Sequence, residues 1–367
     1  MNTGMPNGRA IRTPAPGSRD PPSGALPATR RCYVLQCDIR RRAERVLFLS
    51  EDTTAIGGQL SVAWPTLPGM GDESATAAGT VTAAAPERPP GPSLSPSRAG
   101  DFLTCPLLYR FRVIDRLPEP PSPAAVRGTL VHAVLERLFD RVAAERTPDA
   151  ARALIDPEWS RMLAAEPELA ALFDNDDQRA LWLDEVSRML DRYFTLEDPR
   201  RIEPAHRELC VEAELASGLR LRGYIDRLDV APGGEIRIVD YKTGGSPPQE
   251  FEARALFQMR FYALTIWRAQ GQVPKLLQLI YLGNGEIVRY EPDAADLLAT
   301  ERKVEALWQA IARAIANRDW RPRPGRICDW CAHQAICPAF GGTPPPIPEA
   351  PAQPDEALEP GDGASPV

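Results

Sequence analysis

At 367 residues the chain is long enough for one large or two modest domains, and its net charge of −7 excludes a uniformly basic protein that coats nucleic acid. A local basic groove stays open, because Lys and Arg together number 43. There is no G-x-x-x-x-G-K-[ST] loop and no G-x-G-x-x-G after a strand, so nucleotide-driven motor activity and dinucleotide binding have no support.

Prolines crowd the two ends: 13 of the 39 fall in residues 1–96 and 8 in residues 344–367. With few large apolar side chains, these ends cannot offset chain entropy. Residues 1–94 and 343–367 are therefore expected to be disordered, and 95–342 to form the folded body. An apolar-basic burst at 30–50 interrupts the first tract without sensible flanking elements, and Met70 soon after it offers an alternative start. No signal peptide and no membrane-length apolar run is present. A cytoplasmic protein is expected, whose cysteines serve as metal ligands rather than disulfides.

Within the body, Ser95 and Pro96 predict a helix N-cap and first position. A long helix is predicted over 124–146, with Leu130, Val131, Val134, Leu135, Leu138 and Phe139 on one stripe. A helical block follows over 150–195, broken near Pro157 and Pro167. Period-two alternation then predicts three consecutive antiparallel strands, "ELCVEAEL", "LRLRGYIDRLDV" and "EIRIVDY", the last two joined at "APGG" by a type II turn centred on Pro232 and Gly233. A helix ending at Gly271, strands at "KLLQLIYL" and "EIVRYEP", and a helix over 293–318 complete an α/β core.

The chemistry concentrates in "GYIDRLDVAPGGEIRIVDYKTG". Asp240 and Lys242 share a face of one strand, and the hairpin brings Asp226 alongside. Carboxylates at close quarters repel unless a cation lies between them, and hard oxygen ligands suit Mg²⁺ or Mn²⁺. Only three of the 43 cationic residues are lysines, so a Lys here is conspicuous, although an Asp–Lys ion pair beside a hairpin is the plain alternative.

Four motifs in order carry a family resemblance: Gly128 and His132 in "RGTLVHAVLE", "GYIDRLD", "VDYKTG", and Gln258 with Tyr262 in "QMRFY". Over 95–340 the chain resembles the RecB-type branch of the PD-(D/E)XK nucleases, with their restriction-endonuclease-like core. The resemblance implies a mixed central sheet flanked by helices, an N-terminal helical insertion, and a metal-dependent DNA exonuclease of repair or recombination. It implies His132, Asp226 and Asp240 as metal ligands, assisted by the Tyr241 carbonyl. Lys242 would position the attacking water, and Gln258 and Tyr262 would complete the site or contact DNA. Arg227 is expected either on phosphate or paired with Asp229. Glu212 and Glu214 stay unassigned, and Tyr109, Phe111 and Tyr262 are candidates for stacking on bases. A non-catalytic DNA-binding scaffold, or a nuclease subunit partnered by a helicase, are the rival readings.

Cys328, Cys331 and Cys337 form C-x2-C-x5-C around His333, which alone suits a Cys3His zinc site. The iron–sulfur subset of the same nucleases places one cysteine before the core and three after it. That resemblance adds Cys105 to the three and implies a [4Fe–4S] cluster stapling the ends of the core. Cys210, inside a strand, reads as a buried core residue.

Overall fold

The computed structural model describes residues 92–247 and 252–348. The proline-rich residues 1–91 and 349–367, with the burst at 30–50, lie outside the described residues. A short β1 (Ser93–Leu94) leads into α1 (Pro96–Thr104), where the Ser95 hydroxyl accepts the Arg98 amide and Pro96 takes the first turn as expected. Helix α2 (Pro106–Tyr109) runs on into a π turn at Arg110–Ile114.

Helix α3 (Pro123–Leu138) stops well short of the predicted Arg146. The buried Arg146 guanidinium gathers the carbonyls of Arg141, Pro199 and Ile202, and a continued helix would carry it away from them. The helical block divides into α4 (Pro148–Arg152), α5 (Ile155–Ala165) and α6 (Asp176–Leu196). Its first break precedes Pro157, which sits in the first turn of α5, where a missing N–H costs nothing. The second falls at Pro167, as expected.

Strands β2 (His206–Glu214), β3 (Arg220–Val230) and β4 (Ile236–Lys242) pair antiparallel in sequence. Their second turn differs from the type II expectation. The positive φ of 88° falls at Gly234 rather than at Gly233, and Ala231 bonds Glu235, the pattern of a tight turn closed by a glycine bulge. Helix α7 (Glu252–Gln270) crosses over to β5 (Leu276–Tyr281), which runs parallel to β4, and β6 (Glu286–Tyr290) returns antiparallel. The last long helix is α8 (Ala294–Asn317), started by a reciprocal Asp293–Asp296 capping box.

Strand β3 carries β2 on one edge and, at opposite ends of the other edge, the parallel β1 and the antiparallel β4. Alternation along β4 and β5 feeds two cores. Ile236, Ile238, Leu277 and Leu279 pack with α1, α7 and α8. Val239, Tyr241, Ile280 and Leu282 pack with the helical insertion α3–α6. Each such side chain contributes about 1.5–3 kcal/mol by leaving water. This is the mixed, helix-flanked α/β sheet of a restriction-endonuclease-like core.

Order continues past 342: the buried Arg110 holds the Pro345 carbonyl, and Ile347 packs on the first core. Among the described residues, no helix is long and apolar enough to cross a membrane.

Candidate metal centre

Strand register alone assembles three carboxylates. The β2–β3 ladder pairs Arg207 with Arg227 and Leu209 with Ile225, leaving Glu208 opposite Asp226. The β3–β4 ladder ends at Arg227 and Val239, so the next position sets Asp226 opposite Asp240. Like charges facing each other across strands are destabilising, and this row holds three. On both sides regular pairing lapses at that row. Glu208 has a φ of 44°, in the left-handed region that a glutamate rarely occupies. The Tyr241 amide donates to Asp226 Oδ2 at 2.7 Å.

Helix α3 supplies His132 from above the row. Its Nε2–H donates to the Tyr241 carbonyl at 2.9 Å, which leaves Nδ1 facing Asp226 Oδ2 at 3.6 Å. A carbonyl that fixes the tautomer in this way turns the bare nitrogen toward a prospective metal. The Tyr241 carbonyl thus lies at the same site, one of its two lone pairs taken by His132. One ligand atom each of His132, Glu208 and Asp226 lie within 4.8 Å of one another, and among the described residues no other group of three or more His, Cys, Asp and Glu does so. A small cavity beside them is lined by Glu136, Phe139 and Arg207.

Asp240 and Lys242 face α7. Lys242 Nζ stands 2.9 Å from Asp240 Oδ2 and donates to Gln258 Oε1 at 2.9 Å, while Gln258 Nε2 donates to the Tyr262 hydroxyl at 3.0 Å. Asp240 Oδ2 is buried with the Lys242 ammonium against it, and a carboxylate oxygen so placed keeps a further lone pair for a cation. The close packing of Tyr262 explains the glycine of "GYIDRLD": a Cβ at Gly223 would meet the Tyr262 ring at 2.7 Å.

Burial raises the Asp226 carboxyl, which Asp240 opposite raises further; His132 and Lys242 pull it back, and it settles at about 6. For Lys242 burial acts downward, but the Asp240 and Asp226 carboxylates outweigh it and raise its pKa. Lys242 is thus held as an ammonium. Burial likewise keeps the Tyr262 phenol protonated far into alkali.

Glu208 is the residue that the sequence reading passed over. Its strand alternates Glu at 208, 212 and 214 on one face, and only the hairpin register separates them. Glu212 pairs with Arg222 at 2.8 Å, away from the row. Arg227 does not face phosphate. It is 1% exposed on the opposite side of the sheet, bonded to both Glu197 oxygens, to Asp229 and to the Tyr241 hydroxyl at 2.6 Å. Tyr109 and Phe111 also leave the list of base-stacking residues, since both rings are buried in the core.

Cys105 meets the stretch that leads into the three later cysteines. Arg323 donates its amide to Cys105 Sγ at 3.3 Å and its guanidinium to the Leu103 carbonyl at 2.5 Å. The Gly325 amide donates to Cys328 Sγ at 3.4 Å, and the His333 amide bonds Cys331. His333 itself is buried, packed edge-on against Phe111, with Nε2 donating to Glu119 Oε1 at 2.7 Å. Glu119 also takes two bonds from Arg112, and burial notwithstanding, these partners pull its carboxyl down to about 2. Cys210 is buried in β2, as expected.

Comparison with known proteins matches the family model of the PD-(D/E)XK nuclease superfamily to residues 93–338. The Gene 69 protein of Mycobacterium phage D29 is 26% identical over 273 residues, covering 68% of this chain and 97% of the relative. The Gene 69 protein of Mycobacterium phage L5 is 25% identical over 292 residues, again 68% and 97%. A crystal structure of a candidate exonuclease from Eubacterium rectale superposes with a TM-score of 0.45 at 16% identity, covering 65% of this chain and 86% of that one.

Proposed function

The chain belongs to the PD-(D/E)XK nuclease superfamily, and from that premise we propose that it is a Mg²⁺- or Mn²⁺-dependent deoxyribonuclease, an exonuclease on single strands or duplex ends in DNA repair or recombination. The observation that carries the reading is the cross-strand row Glu208–Asp226–Asp240, flanked by His132 on one side and Lys242 on the other. His132, Glu208, Asp226 and Asp240 would hold the ion. The buried Asp240 oxygen beside Lys242 and the bare His132 nitrogen are the donor types a divalent cation takes. A divalent ion supplies Lewis acidity to the phosphate and a nucleophilic water.

The protein's own part is electrostatic. Lys242, held cationic by its two carboxylates, meets negative charge as it grows on the phosphate and orients the attacking water without removing its proton. Gln258 fixes the ammonium, and Tyr262 fixes Gln258. Digestion of end-labelled linear and circular DNA, single- and double-stranded, tests the reading. Cleavage of linear DNA only, lost in EDTA, is expected; cleavage of circles refutes the exonuclease, and no cleavage with either metal refutes the enzyme.

The same reading gives Cys105, Cys328, Cys331 and Cys337 a [4Fe–4S] cluster. Backbone amides on three of the sulfurs suit thiolate ligands. His333, spent on Glu119, suits zinc poorly, and the three local cysteines with it are not gathered as tightly as the His132 group. Anaerobically purified protein should be brown with about four irons per chain. Colourless protein with one zinc overturns this assignment.

A further inference from the structure

The aromatic residues first considered for base stacking are buried, yet two other rings are not. Trp330 is 72% exposed and Phe340 51% exposed. Of the five large hydrophobic side chains exposed among the described residues, these are the two aromatic ones, and both lie on the cysteine segment. That segment is three short 3-10 turns, Arg326–Trp330, Gln334–Ile336 and Pro338–Phe340. The Gln334 side chain bonds the Cys328 carbonyl, which ties the first turn to the second. Inward-facing residues are present here too: Trp320 stacks on Tyr109 at 6.0 Å, and Ile336 and Cys337 pack on the core. Trp330 and Phe340 point outward from a segment that has a core to use. A single exposed ring needs no explanation, but this pair has basic company.

Residues 318–340 hold Arg318, Arg321, Arg323 and Arg326 against Asp319 and Asp329, a surplus of two positive charges in a chain whose net charge is −7. Arg321 pairs with Asp319 at 2.9 Å and Arg323 is engaged at Leu103. Arg318 and Arg326 are exposed and have no ion-pair partner among the described residues. Exposed aromatic faces and uncommitted guanidinium groups in one short stretch of chain match unstacked bases on a phosphate backbone. A duplex keeps its base faces covered, and an apolar protein partner would leave the arginines unanswered.

The position fits a strand already engaged by the metal centre. Pro96, at the start of α1, lies against Gly223, whose neighbour is Tyr262 of the site. Cys105 follows the other end of α1 and touches Arg323. One helix of nine residues, about 14 Å long, thus joins the metal centre to the cysteine segment.

Resting on the nuclease reading, we propose that Trp330, Phe340, Arg318 and Arg326 form a strip that binds single-stranded DNA outside the metal centre, engaging substrates long enough to reach it.

The test separates binding from cutting. Anisotropy of a labelled oligothymidylate of about 20 nucleotides is measured in EDTA, and cleavage of it and of one of about four nucleotides is measured with Mg²⁺ and with Mn²⁺. Trp330→Ala should weaken binding of the long oligomer about tenfold, Trp330→Leu equally, and Trp330→Phe little. Arg318→Ala with Arg326→Ala should flatten the salt dependence by about 1.4 in log–log slope, two phosphates at single-strand density. All variants should cleave the short oligomer as the parent does, which also shows that they are folded. Long-oligomer binding within about twofold of the parent in both Trp330→Ala and the double arginine variant overturns the strip. Full binding by Trp330→Leu overturns stacking and points to a protein-type apolar contact. If the parent cuts neither oligomer with either metal, the nuclease reading fails, while the binding comparison still decides the strip.

Discussion

Replacing Asp226 with Asn should stabilise the metal-free protein while abolishing its response to metal. The Asp226 side chain is 13% exposed, and its carboxyl rises from 3.8 to about 6 in the fold, burial being the largest cause. Because the folded pKa lies above the unfolded one, the folded chain binds the extra proton between those values, and stability falls as pH rises through that window. At about 1.4 kcal/mol per pKa unit, ionised Asp226 costs the metal-free fold about 3 kcal/mol above pH 6. Asn is neutral, and its Oδ1 can keep the 2.7 Å bond from the Tyr241 amide. Thermal melts in EDTA near pH 8 should therefore place Asp226→Asn above the parent by about 6–12 °C. The gap should shrink to about a fifth near pH 4, where the folded carboxyl is protonated, and vanish below the unfolded pKa of 3.8. Adding Mn²⁺ should raise the parent and leave the variant unmoved. A variant less stable than the parent in EDTA, or an advantage as large at pH 4 as at pH 8, refutes the reasoning that burial and the facing carboxylates strain this site.

Other substitutions separate the roles within the site. Lys242→Ala should lower the cleavage rate at least about a hundredfold yet leave Mn²⁺ affinity by titration calorimetry unchanged or tighter, because it removes a cation from beside the ligands. Glu208→Gln should weaken Mn²⁺ about tenfold or more in the same titration, whereas Glu212→Gln should not, since Glu212 serves Arg222. Arg227→Met should cost about 3–5 kcal/mol in urea unfolding, because the buried Glu197 loses its bidentate partner and keeps only Gln278 and the more distant Arg237, which Asp229 must share.

How far the sequence led can be judged at individual residues. Period and punctuation located the strands and the long helices, because alternation and caps are local signals: Ser95–Pro96, Gly271 and Asp293 each end up at the helix terminus they suggested. Helix α3 was drawn too long because its end is decided by Arg146, whose carbonyl partners at 199 and 202 are far along the chain. Strand β1, two residues long, has no period to read and exists through its pairing with Arg220 and Leu221. Asp226, Asp240 and Lys242 could be grouped because a single hairpin relates them. Glu208 could not, since three glutamates share its face and its selection depends on the register of a second hairpin. The signal that would have found it was arithmetic: counting back across the turn at Gly218 sets Glu208, not Glu212, against Asp226.

The buried polar network explains how such a crowded row can be held at all. Arg227 neighbours Asp226 on β3, and its guanidinium bonds the hydroxyl of Tyr241, the residue between Asp240 and Lys242. Tyr241 in turn gives its amide to Asp226 and its carbonyl to His132. One side chain on the far face of the sheet therefore anchors the residue whose backbone positions two prospective ligands on the near face. Glu197, just past the end of α6, locks that guanidinium from the helical insertion and also accepts from Gln278 on β5. Removing Arg227 consequently does more than lower stability. It frees Tyr241 to relax toward regular β pairing, and a regular pair at that position would return its amide to the ladder and release Asp226 and His132 from their present settings. The insertion is in this sense part of the candidate metal centre, acting through one tyrosine and without contributing a prospective ligand from α4, α5 or α6.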